Sequence, residues 1–205
     1  MANPPTAAPV SVLFVCLGNI CRSTMAEGVF RSLTSSSQQH SFLIDEIDSA
    51  GTGAYHVHDP PDHRTMATLR QHGIKNYNHA ARKVTKEDFR TFDFILAMDQ
   101  YNLRDLLRLR DSIMLGGQSG RTKGRITTSS LGQKGSAGET AISKIAEVRL
   151  FGDFNPDGTV NKQIGGGQEI EDPYYGGING FEIAYEQAMK FSKGFLAYLE
   201  KQTEQ

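Results

Sequence analysis

Tryptophan is missing from this 205-residue chain, and cysteine occurs only twice. The two cysteines, Cys16 and Cys21, sit in one short segment. That excludes a disulfide framework and fits a reduced, intracellular setting, so a cytoplasmic location is expected. A Cys-x4-Cys pair without further cysteines or clustered histidines is also a poor zinc site. No run of about 18 apolar residues occurs, which excludes a transmembrane helix. The opening MANPPTAAPV has no basic segment followed by an apolar one, so residues 1–10 are expected to be a disordered tail rather than a secretory signal. Excess charge of one sign is lacking too. Lys and Arg number 22 against 23 Asp and Glu, which gives no general electrostatic case for nucleic acid or an anionic membrane. What remains is a length suited to one ordinary domain with a real core, expected over residues 11–201.

Apolar patterning organises that domain. Ser11 to Val15 is a continuous apolar run with β-branched residues, the mark of a buried parallel strand. It runs into CLGNICRS (16–23), and then Met25, Ala26, Val29, Phe30 and Leu33 recur at helical spacing with Ser23 as a plausible N-cap. Further strands are expected at 42–49, 92–98 and 147–152, with Gly51-Thr52-Gly53 breaking the second. Helices are expected from Pro60-Pro61 to about His72, from Asp99 onward, and from about Ile178 to Lys201. Strands alternating with helices predict an open parallel sheet covered on both faces, whose ligands bind beyond the carboxyl ends of the strands, where Cys16 lies. Residues 112–145 are dense in Gly and Ser, poor in large apolar residues, and too long for an ordinary connection. They are read as a mobile insertion, a tolerated spacer rather than a basic recruitment loop.

The first loop carries the chemistry. Cys16 and Arg22 form Cys-x5-Arg between a buried strand and a helix start. A loop of this length can turn successive backbone N–H groups toward one centre, and the helix N-terminus adds partial positive charge. Gly18 permits the positive φ that such curling needs, and Asn19 is among the residues that tolerate it best. Arg22 can fork onto phosphate oxygens. The same field favours a thiolate, since a cysteine in such a place can fall from a pKa of about 8.5 to about 3.5–7.5. A cysteine ending a strand could also be simple core packing. Gly18, Asn19 and Arg22 together argue for the anion site instead.

Breaking a phosphate ester near neutral pH needs a proton for the leaving oxygen. Glu171-Asp172-Pro173-Tyr174-Tyr175 offers an acid on a rigid turn beside two flat apolar rings, a setting suited to a phenyl phosphate. CLGNICRS after VLFV, and DPYY before the last helix, resemble the low-molecular-weight protein tyrosine phosphatases. DSAGT (48–52), HDPPD (58–62), TKEDF (85–89), FDFILAMD (92–99) and NLRDL (102–106) extend the resemblance over most of the chain. It implies a three-layer doubly wound α/β fold with a four-stranded parallel sheet flanked by helices, and no metal or other cofactor. It implies hydrolysis of phosphotyrosine, and of small aryl phosphates as an acid phosphatase does, through a phosphocysteine. Cys16 would attack, Arg22 and the amides of Leu17, Gly18, Asn19, Ile20 and Cys21 would hold the oxygens, and Asp172 would protonate the leaving phenolate.

The same resemblance implies that Asn19, Ser49 and His79 hold the loop's shape and that Ser23 donates to the Cys16 thiolate. Leu17, Ile20, Tyr55, Tyr174 and Tyr175 would shape the ring crevice. Cys21 would form a reversible disulfide with Cys16 that protects it from overoxidation. Tyrosine-phosphorylated proteins would be the partners, and a tyrosine kinase would act on Tyr174 or Tyr175. Two features depart from the family pattern: Thr24 stands where a proline is usual, and the segment 112–145 is longer than the usual connection. His56, His58 and His63 near Asp59 and Asp62 fit no compact tetrahedral metal site and read as turn or surface residues, while Tyr77 and Tyr101 read as core or surface. Two other functions stay open at this level. Arsenate reduction passes a disulfide along a chain of cysteines, and no third cysteine exists here. A non-catalytic phosphotyrosine- or anion-binding module would be expected to lack Cys16, Arg22 or Asp172.

Overall fold

Alternation along the first strand sets the architecture. In the computed structural model, which describes residues 8–118, 144–174, 176, 177 and 179–203, strand β1 spans Val10–Cys16. Val12, Phe14 and Cys16 face one core, and Leu13 and Val15 face a second. Both faces of the strand are therefore covered, as a parallel sheet requires. Helices α1 (Arg22–Ser36) and α2 (Gln38–Ser41) lead to β2 (Ile44–Gly51), and α3 (His63–Gln71) and α4 (Asp88–Thr91) lead to β3 (Phe94–Ala97). Helix α5 (Gln100–Gln118), strand β4 (Glu147–Leu150) and helix α6 (Gly180–Thr203) complete the order. These four strands pair in parallel, in the order β2-β1-β3-β4. Residues of α1, α3 and α6 fill the core on one face, and residues of α4 and α5 fill the other. This is the expected three-layer doubly wound fold. The neighbours of β1 are reached in opposite directions, so its carboxyl end is the switch point where the crevice opens.

Local chemistry moves several element ends. Helix α1 begins at Arg22 rather than after Ser23, and its boundary residue Cys21 supplies no side-chain cap. Ser23 is instead fully buried and committed to the loop. Thr24, in place of the proline, donates its hydroxyl to the Cys21 carbonyl at 2.9 Å, a contact proline cannot make. Helix α3 starts three residues after Pro60, because Asp62 accepts from the Arg64 N–H at 2.8 Å and caps it. Helix α5 continues past Ser112 to Gln118, so the Gly/Ser-rich stretch does not begin where composition marked it. The reason is Ile113, buried on the same face as Leu106 in the second core. Ile145, at the far end of that stretch, also packs on this core. Residues 119–143 of the expected insertion and residues 1–7 of the expected tail lie outside the described residues; Val10 already belongs to β1.

Candidate active site

The loop after β1 is folded by its own side chains. Asn19 takes a φ of +59°, the left-handed conformation an asparagine tolerates, and is almost wholly buried. Its backbone N–H points at the Cys16 sulfur, 3.2 Å away. Its side-chain amide donates to the Ser23 hydroxyl at 3.0 Å and to the Ser49 hydroxyl at 2.9 Å. Ser23 accepts from Asn19, and its Oγ lies 3.1 Å from the Cys16 Sγ, a contact in which either group can be the donor. On the outer side, Gly51 leaves room for the loop. A Cβ there would lie 2.7 Å from the Leu17 carbonyl oxygen and 3.2 Å from the Asn19 nitrogen.

Behind the loop lies a polar network only partly foreseen from the sequence. The Asn19 amide oxygen accepts from His79 Nε2 and from the Arg82 N–H, both at 2.8 Å. Ser49 donates to Glu27 Oε2 at 2.7 Å, and Tyr77 donates to the same oxygen at 2.8 Å. Ser49 and His79 thus meet Asn19, and Glu27, Tyr77 and Arg82, which the sequence reading did not single out for this loop, join them. Glu27 carried a signal: it falls beside Ala26 and one turn from Phe30, on the helix face that should be apolar. Burial between the Glu27 carboxylate and apolar neighbours pushes the Tyr77 phenol well above its ordinary range, so it stays a donor. Glu27, Asp48 and His79 also bring three potential metal-ligand atoms within 4.8 Å of one another. Glu27 and Asp48 already serve the hydroxyls of Ser49 and Tyr77 and the guanidinium groups of Arg31 and Arg82, whose charges disfavour a cation there. His56, His58 and His63 form no such group among the described residues.

Arg22 is the second anchor. Its buried guanidinium donates to Asp99 at 2.5 Å and to Asp172 at 3.2 Å. Burial acts against its charge, but the charges of Cys16, Asp172 and Asp99 and the hydrogen bond to Asp99 outweigh it. The net effect is to raise the group further above its ordinary value. Asp99 was read from the sequence only as a helix start. It does that as well, accepting from the Asn102 N–H at 2.7 Å. The acid loop is held by a second unforeseen carboxylate, Asp153. It is fully buried and accepts from the N–H groups of Gly165 and Gly167, each at 2.8 Å. Gly152 and Gly167 approach so closely that a Cβ on Gly167 would lie 1.9 Å from the Gly152 oxygen. Asp172 Oδ1 then accepts from the Tyr174 N–H at 3.1 Å, the Asx turn that its place before proline suggests.

These parts share one cleft of about 300 Å³, lined by Cys16, Arg22 and Asp172 together with Leu17, Gly18, Ile20 and Cys21. Tyr55 and Tyr174 form its rim with His56, which the sequence reading had placed among the turn histidines. Tyr175 lies outside the described residues. A wider groove of about 640 Å³ runs along α1 near Arg31 and Tyr77, but it contains no cysteine or histidine, so the chemistry selects the smaller cleft. The two cysteines are free thiols. Burial, then the charges of Asp62 and Cys16, push the Cys21 thiol up to about 12.

A strand-end cysteine and an arginine around an anion-sized centre, with a carboxyl facing them, define a cysteine-dependent phosphoric monoester hydrolase. Residues 11–118 match the sequence model of the family described as low molecular weight phosphotyrosine protein phosphatase. A protein of that name from Gallus gallus is 41% identical over 186 residues, covering 91% of this chain and 93% of the relative. The solved structure of a protein tyrosine phosphatase from Entamoeba histolytica aligns with a TM-score of 0.64 at 28% identity, covering 94% of this chain and 98% of that one. A Drosophila arginine phosphatase aligns with the same TM-score at 30% identity, covering 92% and 96%. The chain belongs to the low molecular weight phosphotyrosine protein phosphatase family, and it is a hydrolase acting on phosphotyrosine.

Proposed function

We propose that Cys16 is the nucleophile, Arg22 the phosphate clamp and Asp172 the general acid of this phosphatase. One observation carries the reading: Cys16 Sγ lies within hydrogen-bond distance of the Asn19 N–H and the Ser23 hydroxyl, in the cleft that Arg22 and Asp172 also line. The phosphate oxygens sit among the loop N–H groups of residues 17–22 and the Arg22 fork, where Arg22 exchanges its contact with Asp172 for the phosphate. The Cys16 thiolate forms a bond to phosphorus as the aryl P–O bond breaks. The departing electron pair stays on the phenolic oxygen, which takes the Asp172 proton. The Asp172 carboxylate then takes a proton from water, which attacks phosphorus and releases the thiolate, with Ser23 donating to the sulfur as it leaves.

Leu17, Tyr55 and Tyr174, all exposed, give the entrance an apolar, aromatic rim suited to the ring of phosphotyrosine or of a small aryl phosphate. Arsenate reduction needs a second thiolate to resolve the first, and the raised Cys21 thiol is poorly suited to that. The same property makes a protective Cys16–Cys21 disulfide slow to form. A tyrosine kinase acting on Tyr174 or Tyr175 would be a partner at the rim, supported by the exposure of Tyr174. Residues 119–143 are proposed as an insertion within a single domain.

Hydrolysis of p-nitrophenyl phosphate by wild type, Cys16→Ser and Asp172→Ala tests the assignment. Cys16→Ser is expected to be inactive while still binding phosphate. Asp172→Ala is expected to lose about 10²–10⁴-fold on poor leaving groups and less on nitrophenolate. Residual turnover by Cys16→Ser would show that the nucleophile is misassigned.

A further inference from the structure

Arg64 lies outside the phosphate loop and outside the acid turn, yet it touches what joins them. Its Nε and Nη2 fork onto the two carboxylate oxygens of Asp62 at 3.0 and 2.8 Å. The backbone N–H of that same Asp62 donates to the Ile20 carbonyl in the phosphate loop at 2.8 Å. On its other side the guanidinium lies 5.2 Å from the centre of the Tyr174 ring and 4.5 Å from that of Phe181, at the start of α6. Its Nη1 comes within 3.5 Å of the Tyr174 carbonyl oxygen. Tyr174, in turn, donates its N–H to Asp172 Oδ1. An unbroken series of contacts thus runs from the phosphate loop through Asp62 and Arg64 to the turn that carries Asp172.

We infer that Arg64 is a positioning residue that fixes the Asp172 turn against the phosphate loop, so that the acid faces the leaving oxygen. The inference rests on the assignment of Asp172 as proton donor. The arrangement needs an arginine for three reasons. A planar fork matches the Asp62 carboxylate, a flat cation stacks between two rings, and one N–H is left to face a carbonyl. A lysine supplies only the charge. A simple helix cap would need none of the contacts on the Tyr174 side, since the Asp62 carboxylate already caps α3 through the Arg64 N–H. Without the latch, Asp172 keeps its Asx turn and its contact to Arg22, but the turn as a whole is free to swing. Displacing an acid by about 1 Å is enough to lower its catalytic contribution severely.

The readout is kcat/KM across aryl phosphates of graded leaving-group basicity, for wild type, Arg64→Met, Arg64→Lys and Asp172→Asn, with inorganic phosphate as competitive inhibitor. Arg64→Met is expected to lose about tenfold on phenyl phosphate and less than about threefold on p-nitrophenyl phosphate. Its inhibition by phosphate should be unchanged, and Arg64→Lys should fall between it and wild type. Added to Asp172→Asn, the Arg64→Met change should cost nothing more. A loss equal for all leaving groups, or one matched by weaker phosphate inhibition in both Arg64 variants, would mean that Arg64 supports the fold and not the acid, and the inference would fail. A steep leaving-group dependence for Asp172→Asn with none for Arg64→Met would overturn the inference alone. No such dependence for Asp172→Asn would overturn the proton-donor assignment and the inference with it.

Discussion

Asn19 shows how much one side chain can hold. Its amide joins Ser23, Ser49, His79 and the Arg82 backbone, and its backbone takes the left-handed conformation that turns the loop. Removing the amide leaves buried partners without a hydrogen bond, each costing about 1–3 kcal/mol before relaxation. Asn19→Ala is therefore expected to lower unfolding free energy by about 2–4 kcal/mol in a urea titration. It should also release Ser23 from its fixed orientation. Phosphate inhibition should weaken together with kcat, a combination that a purely catalytic loss would not give. A variant with wild-type stability would show that the network is dispensable. Glu27 belongs to the same level of description: a buried carboxylate tolerated because Ser49, Tyr77 and Arg31 all donate to it.

Two elements meet where no side chain fits. Gly51 ends β2 against the phosphate loop, and the next two N–H groups, of Thr52 and Gly53, donate to the carbonyls of Cys16 and Leu17. Gly51→Ala places a methyl group against the Leu17 oxygen and the Asn19 nitrogen, both backbone atoms that cannot swing aside. The loop must shift, so phosphate affinity should fall by at least about tenfold, read from competitive inhibition. Helix α5 supplies a test of a different kind. Its second half is held by Ile113 in the core. Ile113→Ala should destabilise the protein by about 2 kcal/mol, toward the low end of such truncations because the residue is at the core's margin. A negligible effect on the urea midpoint would mean that the helix ends near Ser112, as composition alone suggested.

Over the whole molecule, buried acidic groups tie stability to alkaline pH, with Tyr185 and Tyr198 also raised by burial and Cys21 and Tyr77 the most strongly shifted. Cys21 ionises near 9.0 when unfolded and near 12 in the fold, and the Tyr77 phenol is likewise held above its ordinary value. The unfolded chain thus releases these protons first, and the folded state binds more of them as pH rises. The Cys21 contribution is fully present below about pH 9 and is lost as pH climbs toward 12, while that of Tyr77 begins to fall only above about pH 10. Cys21 alone contributes a slope of at most about 1.4 kcal/mol per pH unit in that window. Urea midpoints measured from pH 8 to 11 should fall, and should fall less steeply in Cys21→Ala. A flat wild-type profile would contradict the burial described for Cys21. No helix of the described residues is long and apolar enough to cross a membrane.

The sequence by itself determined whatever depends on neighbours along the chain. The VLFV run, the Cys-x5-Arg spacing, Gly18-Asn19 and the Asp-Pro turn each express local geometry, so strand, loop and acid were legible before folding. The doubly wound layout followed from short apolar runs alternating with segments of helical spacing. Tertiary structure alone decided which distant groups satisfy the buried polar atoms that this loop creates. Asp99 on Arg22, Glu27 under Ser49, Asp153 beneath the acid loop and Arg64 beside Tyr174 lie far apart in sequence and follow no spacing rule. A buried donor or acceptor must find a partner, but the chain order does not say which one. Ser23 shows the division well: a hydroxyl at a helix start reads as a cap, and only the folded loop sets it between the Asn19 amide and the Cys16 sulfur.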